Sequence, residues 1–401
     1  MNRLEPPRIS ILTGGRDPHY AMGLLWGLLG TPLTIDFVAN RAMRGEQDGR
    51  RGAVRYVDLY PSTDATGLRR VAAIIRTYVA LVRYVAWTRN PIIHILWYYK
   101  FEVLDNTVLA WLYRALGKRV VLTVHNVNRG ERDGTDGALN RWSLRYLYRA
   151  VDHIFVHTLQ SKTQLCRDFL VDEDKVTVIP FGVNIFTTQS QLDPAAARQR
   201  LGFGPGEKVI LFFGNIAPYK GIDTLVDALA LIPDVRLMIA GPVKKGCEAY
   251  WGDVERAVAR NGLNERVRIN VEFIPESDVE LYFKAADVTV LPYKKISQSG
   301  VLFLSLGFGV PVIVSDADGL PESVDEGVNG LIFREGDPED LARRIAEYFS
   351  SQMFTALDVN RHQIIEELRR RHSWDSVAET TYDAYGQLLT DRRVPNAAAV
   401  R

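Results

Sequence analysis

The sequence predicts an α/β protein built on two doubly wound parallel sheets. Short Val/Ile-rich runs alternate with longer helical patterns along the chain. Several of those runs are apolar throughout, as expected where both faces of a parallel sheet are covered. The length, 401 residues, allows two or three domains. With 47% of residues hydrophobic and 24% charged, the composition is globular and not disordered. A formal net charge of +1 excludes a protein dominated by one sign of charge. Cys166 and Cys247 are too few for a disulfide framework or a four-cysteine zinc site, and they point to a reducing compartment.

In the first half, strands are expected at Arg8–Thr13, Leu33–Ala39, Val54–Leu59, Ile92–Trp97, Val120–His125, His153–His157 and Val176–Pro180. In the second they are expected at Lys208–Gly214, Val235–Ala240, Val267–Asn270, Val288–Leu291, Val312–Ser315 and Gly330–Phe333. Strand–helix alternation implies right-handed crossovers. Two such domains facing each other would form a ligand cleft at the carboxyl ends of their strands. The polar segment Thr187–Gly206 is the linker candidate. It divides the chain into residues 1–190, 191–372 and a C-terminal piece, 373–401. Helical patterns at Leu357–Arg371 and Trp374–Leu389 close the chain. No leader is visible in the first eight residues, which carry Arg3, Glu5 and Pro6–Pro7. The uncharged runs Pro18–Ile35 and Ile296–Ser315 contain glycine and proline. They read as buried helix, turn and strand, not as membrane spans.

Charge is divided unevenly. Residues 1–190 hold 25 Lys+Arg against 17 Asp+Glu, and the remainder holds 24 against 31. Within the basic half, Gly67–Thr88 carries Arg69, Arg76 and Arg83 at seven-residue spacing, which places them along one helical stripe. One reading is a surface helix packing its apolar face on a sheet. The other is contact with an acceptor or an anionic membrane. The aromatic cluster Trp97, Tyr98, Tyr99, Phe101 and Trp111 reads as core.

Three turns have the chemistry of phosphate binding. Gly14–Gly15 follows the opening strand, just before a helix that starts near Pro18. Asn215 and Lys220 lie in the turn between the first strand of the second half and a helix opening near Gly221. The spacing is not that of a Walker loop. Gln298–Ser299–Gly300–Val301 starts an apolar helix, where unpaired amides suit an anion, or where a serine simply caps. Three such turns on two domains favour a shared diphosphate ligand. His125, at a strand's carboxyl end, is positioned to meet a ligand. His153 and His157 read as structural. No cluster has metal-ligand spacing, and no metal is expected.

The second half resembles glycosyltransferase family 4 of the GT-B superfamily. The stretches that carry the likeness are "LFFGNIAPYKGIDTLVDAL", "VRLMIAGP", "AADVTVLPY", "SGVLFLSLGFGVPVIVSDADGLPESVDEGVNGLIF" and "HSWDSVAETTYDAYGQLL". The first half is similar more loosely, through Gly14–Gly15, "VVLTVHN", "VDHIFVHT" and "KVTVIPFGVN". The resemblance implies two Rossmann-like domains with a cleft between them, and transfer of a sugar from a UDP- or GDP-sugar to a hydroxyl. The acceptor would be a glycan or lipid-linked molecule in cell-surface polysaccharide or glycolipid synthesis. The nucleotide-diphospho-sugar is a co-substrate, and no cofactor, metal or nucleic acid is implied. The setting would be cytoplasmic, with peripheral contact to the inner face of the membrane.

By that likeness the first domain binds the acceptor, the second the donor, and the final helix crosses back to the first domain. Gly15 would sit near the distal phosphate, His125 near the transferred sugar and Lys220 at the diphosphate. Ser299, Gly300 and Val301 would offer backbone donors, and Phe273–Ile274 would line the base. The family's Glu-x(7)-Glu pair falls on Ile296 and Leu304, so both carboxylates are missing, and Asn215 stands where an arginine is common. Lys244, Lys245, Lys294 or Lys295 are candidates to supply charge, and Asp17 is a candidate base. The missing pair leaves retention of configuration the favoured course over inversion, and keeps two other readings open. These are a non-catalytic sugar-nucleotide-binding subunit and a sugar-nucleotide epimerase of the same fold.

Overall fold

A computed structural model describes residues 6–44, 52–61, 66–183 and 192–390. Residues 187–191 of the expected linker, the boundary at 190/191 and the tail 391–401 lie outside the described residues, as do Arg3 and Glu5. The chain forms two compact units. One comprises Met1–Asn184 with His372–Arg401, the other Ile185–Arg371.

The first unit holds seven parallel strands: β1 (Arg8–Leu12), β2 (Thr34–Asn40), β3 (Ala53–Tyr60), β4 (Ile92–Ile95), β5 (Arg119–Thr123), β6 (His153–Val156) and β7 (Val176–Val178). Their order is β3-β2-β1-β4-β5-β6-β7. Successive side chains alternate faces, so Val120 and Leu122 join one core while Val121 joins the other. Helices Pro18–Leu28 and Trp374–Thr390 cover the face bearing Ile9, Ile11 and Phe37. Helices Gly67–Trp87, Ala110–Ala115, Ala138–Ala150 and Leu159–Phe169 cover the other. The expected strands overran β1, β4, β5, β6 and β7 by one or two residues. Thr13, Leu96 and Val124 still donate to a neighbouring strand, but the chain then turns to form loops.

The second unit holds β8 (Lys208–Phe213), β9 (Val235–Ala240), β10 (Val267–Asn270), β11 (Val288–Leu291), β12 (Val312–Ser315) and β13 (Gly330–Phe333), in the order β10-β9-β8-β11-β12-β13. Asp287 fixes the start of β11, accepting from Val209 N at 2.8 Å and pairing with Arg198 at 2.6 Å. Helix Leu357–Arg371 packs on this unit, where Arg361 donates to the Ala286 carbonyl at 3.0 Å.

Candidate active site

In the first sheet the strand order reverses between β1 and β4, the place where open α/β sheets take ligands. Gly14 and Gly15 leave β1 with φ of 62° and 69°. A Cβ on Gly14 would stand 2.5 Å from the Trp97 carbonyl oxygen, so the turn presses directly on the chain leaving β4. His125 lies two residues beyond β5 and stacks on Trp97, with ring centroids 4.2 Å apart and planes within 1°. Tyr20 and His157 complete the cluster, with centroids 4.7 and 5.2 Å from His125. Nε2 of His125 and Nε2 of His157 are buried and make no hydrogen bond within the described protein. Burial, reinforced by His157 and His94, holds the His125 imidazole well below the usual histidine range. Burial likewise pushes His157 down to about 4. Both rings are therefore neutral at pH 7, and each can exchange one hydrogen bond with a ligand hydroxyl.

A cavity of about 260 Å³ opens at the ends of β4 and β5 beside these rings. Arg16, Lys100, Arg129 and Arg132 make part of its lining cationic. Arg16 is held by a 3.1 Å bond from its Nη2 to the Tyr99 carbonyl. Asp17, the candidate base, stands at the start of a helix. It caps helix Pro18–Leu28, accepting from Tyr20 N at 3.1 Å.

In the second sheet the order reverses between β8 and β11. Lys220 ends a single 3-10 turn, Pro218–Lys220, which Gly221 closes at φ 66°. A Cβ on Gly221 would stand 1.8 Å from the Pro292 carbonyl oxygen, so only glycine fits. The loops after β8 and β11 are tied by Lys294 N donating to the Tyr219 carbonyl at 2.8 Å. Lys220 is thereby almost fully buried, its Nζ 3.7 Å from the centroid of the Tyr293 ring. Ser299 caps helix Gly300–Gly307, its Oγ accepting from Leu302 N at 3.4 Å. The opening amides of that helix have no intrahelical acceptor, and its dipole favours an anion there. A Cβ on Gly214 would lie 3.4 Å from Val301 Cγ2, so the two turns adjoin.

Of the residues expected on the donor, the second unit therefore brings together Lys220, Ser299, Gly300 and Val301. Ile274 packs with Val301 against the same apolar cluster, while Phe273 and Asn215 are exposed. Gln298 has a buried Oε1 with no partner among the described residues. Gly14 and Gly15 belong to the first unit. Arg69, Arg76 and Arg83 lie exposed on helix Gly67–Trp87, away from the cavity lining. The aromatic cluster divides. Tyr99 is core, Trp97 stacks on His125, and Phe101 and Trp111 are exposed. Lys294 is committed to Asp223 at 2.6 Å. Ile296 is buried and Leu304 packs on the unit's core, so both positions of the missing pair are apolar. Asp318, at φ 43°, reaches this place instead, its Oδ2 accepting from Ile296 N at 2.8 Å. Sequence reasoning set His157 aside and passed over Tyr20, Tyr293 and Asp318. Only the fold brings them to their partners. Among the described residues, no group of three or more His, Cys, Asp or Glu is placed to hold a metal ion.

Two doubly wound parallel units, each with its phosphate-competent turn at the switch point, define a GT-B fold. Solved structures agree. Sucrose-phosphate synthase from Thermosynechococcus elongatus is similar at a TM-score of 0.73 and 22% identity, over 96% of this chain and 99% of that one. HepE from Anabaena in complex with UDP-glucose is similar at 0.69 and 19%, over 95% and 99%. Residues 26–185 match Glycosyltransferase Family 4, and residues 207–351 match Glycosyl transferases group 1. The chain belongs to glycosyltransferase family 4. Among curated relatives, the D-inositol 3-phosphate glycosyltransferase of Mycolicibacterium gilvum is 29% identical over 62% of this chain and 55% of its own length. That of Nocardia farcinica is 30% identical over 55% and 49%. The chain thus spans about half the length of these relatives.

Proposed function

We propose that the protein transfers a hexosyl group from a nucleotide-diphospho-sugar to a hydroxyl of a glycan or lipid-linked acceptor. The observation that carries this reading is Lys220, a nearly buried ammonium at the switch point of the second sheet, next to the turn that adjoins a helix start. A diphosphate there meets a full positive charge and a set of aimed amides. The acceptor oxygen bonds the anomeric carbon, the bond from that carbon to the diphosphate breaks, and the hydroxyl proton leaves with the diphosphate. Lys220 and the helix start offset the departing charge, so the step needs no metal ion. Retention of configuration is the course we assign. UDP is the favoured nucleotide, since HepE is similar in fold and was solved with UDP-glucose. The acceptor reading rests on the first unit. Neutral His125 and His157 suit sugar hydroxyls, and Arg16 and Lys100 suit a phosphate on the acceptor, while Arg129 and Arg132 are paired with Asp133 at 3.2 and 3.0 Å. Relatives named for an inositol phosphate support that chemistry.

The test is a thermal-shift panel of UDP-, GDP- and ADP-sugars on the protein and on Lys220→Ala. Ligand at 100 times its Kd stabilises by about 2.7 kcal/mol, a shift of a few degrees. One nucleotide-sugar should win, and its effect should vanish in the variant. Transfer to a phosphate-bearing acceptor should then persist in EDTA. No stabilisation of the folded protein by any of them would refute the donor site. Donor binding without turnover would favour the non-catalytic subunit.

A further inference from the structure

Large apolar side chains are exposed very unevenly. Of the twenty-one exposed among the described residues, twelve fall between Leu68 and Trp142, on the first unit. They lie on one layer. Helix Gly67–Trp87, the helical segment 102–115 and helix Ala138–Ala150 share a single buried core on one face of the sheet. Tyr78 Oη donates to Asp105 at 3.1 Å, and Asn106 Nδ2 to Ser143 at 3.4 Å, so the three are neighbours in sequence order.

On helix Gly67–Trp87, Leu68, Val71, Ile75 and Val79 are all more than half exposed. At 100° per residue they span about 80° of the circumference, and Arg69, Arg76 and Arg83 follow within a further ~80°. The buried face of Thr77, Leu81 and Val85 lies about 120° away. Ile74, Tyr78 and Val82 lie between and pack on the core, so the apolar arc of the helix is wider than the part the core covers. Arg83 sits over the exposed Trp87 ring at 4.7 Å. Farther along the layer, Trp111 and Trp142 face a groove of about 750 Å³ shared with Arg114, Arg145 and Arg149. Helices Gly67–Trp87 and Ala138–Ala150 together carry seven arginines and no acidic residue.

We infer that this helical layer docks the protein on an anionic phospholipid bilayer. Apolar stripes flanked by arginines, with tryptophans at the rim, match an interface of acyl chains, phosphate and water. Seven arginines on these two helices fit phosphate headgroups, with Arg141 already engaged by Asp136 at 2.6 Å. No helix among the described residues is long and apolar enough to cross a membrane. Segment 102–115 and helix Ala138–Ala150 also reach the 260 Å³ cavity, which Asn106 and Asn140 line together with His125, so docking holds that cavity near the lipid surface. The inference stands apart from sugar transfer, since it needs neither donor nor acceptor.

The experiment is co-sedimentation of the full chain with vesicles of phosphatidylcholine, alone or partly replaced by phosphatidylglycerol, without sugar nucleotide. Three proteins are compared: the parent, the charge reversal Arg69→Glu/Arg76→Glu/Arg83→Glu, and Trp111→Ser/Trp142→Ser. All substituted positions are exposed, and circular dichroism verifies that each variant folds. The parent should bind phosphatidylglycerol vesicles selectively and lose affinity in high salt. At about fivefold per arginine near an anionic surface, removing three costs about a hundredfold. The tryptophan variant should bind at least tenfold more weakly, with its salt dependence kept. No selective binding by the parent, or equal binding by all three proteins, overturns the inference. So does self-association that the tryptophan variant abolishes, which would make the face a contact between copies.

Discussion

Lowering the pH from 7 to 5 should loosen the first unit. His94, His153 and His157 are buried there, and burial pushes them down to about 3, about 4 and about 4. An unfolded histidine titrates near 6.5. Between pH 6.5 and about 4 the unfolded chain therefore binds more protons than the folded one. Stability is fully present above that window and falls as the pH drops through it. Each of the three loses about 2 kcal/mol between pH 7 and pH 5. Asp105 works in the opposite sense. Burial raises it to about 6, so the folded state holds its proton more tightly and regains about 1 kcal/mol. Asp136 and Asp168 are held below the carboxylate range and lose their contributions only at lower pH still. His125, held low by the same burial, adds to the loss, so the net is at least about 5 kcal/mol, a large share of a typical domain's stability. Six of the seven tryptophans, all but Trp251, belong to this unit, so tryptophan fluorescence reports mainly on it. The urea midpoint of the fluorescence transition should fall by about 2 M at pH 5. His153→Asn should reduce the slope by about a third. A midpoint that stays level or rises would refute the reasoning.

Two further outcomes follow from close packing. Gly221→Ala places a methyl group against the Pro292 carbonyl at a left-handed φ, costing about 1–2 kcal/mol before any clash. It should weaken nucleotide-sugar binding at least tenfold by calorimetry, since the chain must move where Lys220 is presented. Trp374→Ala removes the ring that fills the space over Gly23 and Gly182, and should cost about 3–5 kcal/mol. Limited proteolysis should then cut within Trp374–Thr390, and intact resistance would contradict that role.

The sheets were legible because their strands are apolar runs bounded by turn residues. Val235–Ala240 and Val312–Ser315 end where the alternation says they do. The places of Gly14 and Lys220 in the turns after β1 and β8 were legible too, because the strands before them are plain apolar runs. His157 was not, because its neighbour His125 is reached only through the pairing of β5 with β6. Asp318 was hidden likewise. Nothing local says that an aspartate 22 residues downstream binds the Ile296 amide. The arginine spacing announced a stripe on helix Gly67–Trp87, but a helix with so wide an apolar arc does not say which part the core covers.

Helix Trp374–Thr390 is the last described element, yet it completes the core that β1 begins. During synthesis the Ile9, Ile11 and Phe37 face of the first sheet therefore has only part of its cover, helix Pro18–Leu28, until the second unit has been made. The unit that starts first finishes last. A nascent chain carries this partly open apolar surface through the translation of nearly two hundred residues, 185–371, which can meanwhile fold as a unit of their own. A chain stopped anywhere before residue 374 would leave the ribosome with that surface permanently short of its cover. Early termination should therefore yield material that chaperones retain, not a smaller working enzyme.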